Sequence, residues 1–111
     1  MSKTLKWPFG PADSQSAAYS ATIAASIANS RTELTIAQMT GAATLNLTIG
    51  DEVEIGDGLV VRVSADATNR VLTAGTGMTA PAFTVTASKS FVLTYCFDGT
   101  NFTLKSSAQI N

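Results

Sequence analysis

Residues 43–49, Ala-Thr-Leu-Asn-Leu-Thr-Ile, put Leu45, Leu47 and Ile49 on one side of an extended chain and Thr44, Asn46 and Thr48 on the other. A period of two is the signature of a half-buried strand. Gly50-Asp51 breaks it. Downstream, Val53 and Ile55 alternate with Glu52 and Glu54 and predict another short strand before Gly56-Asp57-Gly58 turns the chain. Leu59, Val61 and Val63 then mark a core-facing strand, and Asp66-Ala67-Thr68-Asn69 reads as a turn whose amides Asp66 is suited to cap. Short strands follow at Arg70–Thr73 and Phe83–Thr86, separated by the Gly75-Thr76-Gly77 loop and Pro81. Phe91–Phe97 is apolar on nearly both faces, which places it centrally. Asp98-Gly99-Thr100-Asn101 is a hairpin signal leading into Phe102–Lys105.

Upstream, Ile23, Ala25 and Ile27 alternate with Thr22, Ser26 and Ala28 and predict a strand, although the Ala-rich stretch 17–28 keeps a helix open as an alternative. Asn29-Ser30 turns into Leu34-Ile36. Residues 1–16 have no clear period, and Pro8 and Pro11 oppose regular helix or ladder bonding. They are expected to form an extended N-terminal arm, with residues 17–111 as one β-domain. No repeat of fixed period stands out. Eight or nine short strands at such spacing predict an all-β fold: an antiparallel β-sandwich or jelly-roll-like domain of about eight strands.

Composition agrees with that class. Seventeen Ala, sixteen Thr, eleven Ser and eight Gly dominate the 111 residues, and long helix formers are scarce. Charged residues are 14% of the chain and the net charge is −1. That surface is thinly charged for a free monomer and suits a subunit packed against neighbours. With no basic cluster, nucleic acid is not an expected partner. No apolar run reaches membrane-spanning or signal-peptide length, so the chain is expected to be made in the cytoplasm and to have no membrane partner. For the same reason the Asn-x-Ser/Thr matches at Asn46 and Asn101 carry no weight as glycosylation sites.

Catalytic chemistry has little to draw on. The chain contains no His, which removes the usual general base and the commonest metal ligand. Cys96 is the single cysteine, so an internal disulfide and a multi-cysteine metal site are excluded. Glu52 and Glu54 are two apart and could share a strand face for acid–base work, or bind calcium together with Asp57. Against this, a solvated strand face is the simpler reading, and residues 50–58 lack the ligand rhythm of a calcium loop. The Gly-rich turns 56–58 and 75–77 do not join a strand to a helix as phosphate loops do. Asp66 and Arg70 flank a turn and are placed to pair across it. Tyr95 and Phe97, with Trp7, would be the supply for a sugar-stacking platform, but a core or subunit contact is the simpler reading. No enzyme activity, cofactor or metal is expected.

Residues 43–107 resemble a β-domain found in structural proteins of tailed bacteriophages, of head-decoration, head-fibre and tail-fibre type. The pieces that carry the resemblance are ATLNLTI (Ala43–Ile49), GDEVEI (Gly50–Ile55), VRVSADATNRVLTAGTGM (Val61–Met78), TASKSFVLTYCFDGTNF (Thr86–Phe102) and the final LKSSAQ. It implies a virion protein, made in the host cytoplasm, that binds the major capsid protein or other virion proteins and often forms trimers. It supplies no catalytic residues. The chain has no coiled coil and no shaft repeat, so a capsid decoration or auxiliary head protein fits its length better than a fibre, with a carbohydrate- or receptor-binding fibre-tip module as the alternative. Within the arm, Trp7 and Phe9 either fold back on the domain's own core or dock on a neighbouring subunit, and they are the expected partner-binding residues, because aromatics anchor interfaces.

Overall fold

The computed structural model of the chain describes residues 13–110, and these are all-β. They form ten strands: β1 (Asp13–Ala17), β2 (Thr22–Ile27), β3 (Arg31–Ile36), β4 (Ala43–Ile49), β5 (Gly58–Ser64), β6 (Arg70–Ala74), β7 (Met78–Thr79), β8 (Phe83–Val85), β9 (Ser90–Phe97) and β10 (Phe102–Gln109). Sheet A has the order β1-β3-β5-β9-β10-β7, and sheet B the order β2-β4-β6-β8. The Ala-rich stretch is strand. Its inward Ile23, Ala25 and Ile27 are buried while Thr22, Ala24 and Ser26 are exposed, so burial of the alternate side chains overrides the helical preference of alanine.

The antiparallel expectation needs correcting. Through β9 the chain alternates strictly between the sheets, odd strands in A and even strands in B, so that only β9 and β10 are both adjacent in sequence and paired. β1 pairs with β3, β3 with β5, β2 with β4 and β4 with β6, all in parallel. This is a solenoid-like winding. Antiparallel ladders enter afterwards, as β6 with β8, β5 with β9 and β9 with β10. Short connections such as residues 28–30 look like hairpin loops, but here they are corners that carry the chain to the other sheet. Parallel neighbours need a long crossover, and each crossover contains a strand of the opposite sheet. Asp13 stands beside Thr32 and Thr22 beside Thr44, yet Arg31 stands beside Gly58 and Ala43 beside Leu72. The coils therefore lengthen along the chain, which is why no fixed repeat is visible in the sequence.

Two strands escape the sequence pattern. β1 straddles the expected boundary between arm and domain at residues 16 and 17, and β7 is only two residues long. Conversely, Val53 and Ile55 do not form a strand. Two turns close there, Val53 N–H on the Gly50 carbonyl (3.3 Å) and Asp57 N–H on the Glu54 carbonyl (2.9 Å), and the Asp57 side chain accepts the Glu54 N–H at 2.9 Å. Val53 is buried but Ile55 is 76% exposed, so local turn bonding wins over the alternation.

A single apolar core draws on both sheets, with Leu45 and Val85 from B and Leu59, Val61 and Leu93 from A all at 0% exposure. Tyr95 and Phe97 point into it. Phe97 packs on Phe102 with ring centroids 5.2 Å apart, and Phe83 meets Phe91 edge-on at 5.1 Å. The corners stack as well. Met39 is fully buried, bridges to Ala65, and donates its N–H to the Ser64 carbonyl at 2.8 Å.

One core position is chemically mismatched. Thr32 is fully buried on the inward face of β3, and its Oγ1 has no hydrogen-bond partner. A buried polar atom left unsatisfied costs about 1–3 kcal/mol. Thr32→Val removes that hydroxyl at nearly constant shape and is expected to stabilise the fold by about 1 kcal/mol, read as a higher urea midpoint with an unchanged slope. A lower midpoint would mean that the hydroxyl is bonded in solution.

Candidate interaction surfaces

The two sheets offer outer faces of different chemistry. On sheet B the outward positions are Thr22, Ala24 and Ser26 of β2, Thr44, Asn46 and Thr48 of β4, Val71 and Thr73 of β6, and Thr84 of β8. None is charged. The parallel register aligns them in rows, with Thr22 beside Thr44 beside Thr73, and Ser26 beside Thr48. On sheet A the corresponding face carries Arg31, Glu33 and Arg62 among Ser, Thr and Val side chains. Arg31 Nη2 bonds Glu33 Oε2 at 3.0 Å.

Asn46 also fixes the rim of sheet B. Its Oδ1 accepts the Thr76 N–H at 2.8 Å, while Gly75 donates to the Leu45 carbonyl and Thr76 accepts from the Leu47 N–H, both at 2.8 Å. The loop read from Gly75-Thr76-Gly77 thus wraps tightly onto β4. A side chain at position 75 would collide with the Asn46 amide and come within 2.9 Å of the Leu45 carbonyl, so close backbone approach requires glycine there.

The turn chemistry expected from sequence is present. Asp66 Oδ1 accepts Arg70 Nε and its Oδ2 accepts Arg70 Nη2, both at 2.8 Å, and Oδ1 also accepts the Thr68 N–H at 3.2 Å. The paired guanidinium holds the Asp66 carboxyl below its ordinary value of 3.8, and the carboxylate in turn raises Arg70. Asp98 Oδ1 accepts the Asn101 and Thr100 N–H groups at 2.8 Å each, and these bonds lower its pKa as well. Gly99, with φ +108°, supplies the left-handed residue of this hairpin.

Of the sequence candidates, Glu52 and Glu54 sit in the turns between β4 and β5 and share no strand face. Among the described residues no group of three or more His, Cys, Asp or Glu side chains is arranged to hold a metal. Tyr95 is 3% and Phe97 8% exposed, so neither presents a ring for sugar stacking, and burial pushes the Tyr95 phenol up to about 12. Cys96 lies half-buried on the outward side of β9. Trp7 and Phe9, the expected partner contacts, lie outside the described residues, as does the rest of residues 1–12.

Sequence reasoning did not single out the outer face of sheet B. Its residues belong to four separate strands, and only the register between those strands brings them together. Two shallow depressions adjoin the far rim of sheet A, of about 160 and 330 Å3, and both are lined in part by Ser64 and Ser90. Arg62 borders the first, while Asp66 and Lys89 border the second. No protein-family model and no curated protein matches this sequence.

Because the Asp66 pKa is lowered on folding, its ion pair adds stability above pH 3.8 that disappears as pH falls through the folded-state pKa. Asp66→Asn is therefore expected to destabilise the protein at pH 7, with the gap to wild type narrowing as pH drops toward 2. Urea midpoints measured across that range check this; a gap independent of pH would show that the carboxylate's charge contributes nothing.

Proposed function

We propose that the chain is a structural subunit of a bacteriophage particle, a capsid decoration or auxiliary head protein that binds the major capsid protein lattice and reinforces it without covalent bonds. It assembles as a homotrimer, and its two sheets are the walls of a sandwich that is wound instead of hairpin-linked. The observation that carries this reading is the uncharged outer face of sheet B, in which the Thr, Ser and Asn side chains stand in register.

Desolvation favours that face over the other as the lattice contact. Burying an ion without a partner costs several kcal/mol, and sheet A would bury Arg62 as well as the Arg31–Glu33 pair. Covering sheet B strips water from hydroxyls and one amide, groups whose hydrogen bonds an opposing surface or a bridging water replaces. The face is also rigid, since each of its strands is fixed by inward side chains, so little order remains to be imposed on binding. The low overall charge and the resemblance over residues 43–107 support the same reading.

Purified virions analysed by mass spectrometry should contain the protein, and particles stripped of it should rebind it. Thr48→Glu/Thr73→Glu puts two carboxylates on the sheet B face at exposed positions. It is expected to weaken rebinding at least about tenfold, equivalent to 1.4 kcal/mol, with thermal unfolding unchanged. Absence of the protein from particles, or full binding by the double variant, overturns the proposal.

A further inference from the structure

The two central strands of sheet A meet at one rim on a rung of serines. Ser64 of β5 stands beside Ser90 of β9, and both line the two depressions found there, which adjoin across this rung as one trough. The smaller basin, of about 160 Å3, holds Arg62 and Thr35 together with half-buried Phe91 and Ile110, which is 52% exposed. The larger, of about 330 Å3, is mostly polar, with Gln38, Ser88 and Lys89 around the serine rung and Asp66.

Charge singles the trough out. Arg31 and Arg70 are each paired with a carboxylate, whereas Arg62 and Lys89 have no carboxylate partner among the described residues. The register sets these two cations on either side of the serine rung, Arg62 beside Val92 and the Lys89 carbonyl on the Ala65 N–H at 3.2 Å. Asp66 offsets them little, since Arg70 holds both of its oxygens. Asp57 and Asp98 flank the opposite ends of β5 and β9. The wall of the larger basin is also firmly built. Ser88 donates its N–H to the Asp66 carbonyl at 2.7 Å, and the neighbouring Ala87 N–H bonds Asn69 Oδ1 at 2.7 Å. Ser88 has φ +62° and is the one non-glycine residue with a positive φ among the described residues. Glycine adopts that conformation at lower cost. Serine there adds a hydroxyl to the basin wall, and strained residues of this kind cluster where ligands are held.

We propose that this trough binds an acidic sugar, a pyranose that carries a carboxylate. Two cations without counter-charge call for an anion, and the Arg62 guanidinium can take a carboxylate through two parallel bonds. The serine hydroxyls and the Gln38 amide both donate and accept, as the adjacent hydroxyls of a sugar require. Phe91 and Ile110 offer apolar surface to the C–H face of the ring. A bare inorganic anion leaves the hydroxyls and the apolar side without a role, and a neutral sugar leaves the cations without one. The basins are shallow, so affinity falls in the millimolar range. None of this depends on the lattice contact, because the trough lies at the rim of sheet A and not on the face of sheet B.

The test is a titration of the full-length, isotope-labelled protein followed by NMR, with glucuronate, N-acetylneuraminate, glucose and acetate added separately. At least one of the two acidic sugars is expected to shift the amides of Ser64, Ser88 and Ser90 saturably, and to bind at least about tenfold more tightly than glucose or acetate. Arg62→Gln and Lys89→Gln should each weaken that binding about tenfold, whereas Lys105→Gln, a cation away from the trough, should leave it unchanged. Ser88→Gly removes the hydroxyl and relieves the backbone, so binding should weaken severalfold with no fall in the thermal midpoint. Saturable binding of neither acidic sugar overturns the proposal. So does acetate or glucose binding as tightly as the acidic sugar, an equal loss in Lys105→Gln, or undiminished binding in the Arg62, Lys89 or Ser88 variants.

Discussion

Inward side chains stacked in register across neighbouring strands are the constraint on which this molecule depends. In sheet A, Leu34 lies beside Val61 and Val61 beside Leu93; in sheet B, Ile23 lies beside Leu45, Ala25 beside Leu47 and Ile27 beside Ile49. A slip of one residue in these strands would turn the apolar set outward and bring side chains such as Glu33, Arg62 or Thr48 into the core. Each rung is therefore held by burial on one side and by ladder hydrogen bonds along the edge. Coil length is left free, and the chain uses that freedom: the corners vary while the rungs do not.

Varying the corners requires local polar bonding, and most of the side-chain hydrogen bonds serve that end. Asp66 closes one corner through Arg70 and Thr68, Asp57 closes another through the Glu54 N–H, and Asp98 closes the terminal hairpin. The Tyr19 hydroxyl donates to the Ala42 carbonyl at 2.9 Å and joins the first corner to the next coil. Asn69 reaches the Ala87 N–H at 2.7 Å and binds two loops together. The carboxylates thus spend their accepting capacity at the corners, and the strands in sheet B are left with outer faces of hydroxyl, amide and methyl groups. A thinly charged sequence and a flat uncharged face are two aspects of the same arrangement.

Parallel winding also gives the molecule a direction. A hairpin-built sandwich pairs each strand with the next, whereas here β1 and β2 meet no neighbour until a further coil supplies β3 and β4. The antiparallel β9 and β10 interrupt the parallel growth of sheet A, which then ends on the two-residue β7 parallel to β10, and the antiparallel β8 ends that of sheet B. Growth is stopped at that end by geometry. The opposite end, at β1 and β2, has no such reversal among the described residues.

Residue order alone determined the strands and most of the turns. Leu45, Leu47 and Ile49 declare their inward face, Asp98-Gly99 declares its hairpin, and Asp66 with Arg70 declares its bridge, because each depends on residues within a few positions of one another. The same local logic misjudged Val53 and Ile55, where turn bonds over three residues proved stronger than an alternation of only two apolar side chains. Which strand lies beside which was decided by the tertiary structure. Alternation tells a side chain which way to face, but backbone N–H and C=O groups are alike in every strand and name no partner. A three-residue connection serves a hairpin or a corner equally well. Only the packing of two sheets around one core separates the two, and with it the assembly of Thr22, Thr44 and Thr73 into one row of an uncharged face.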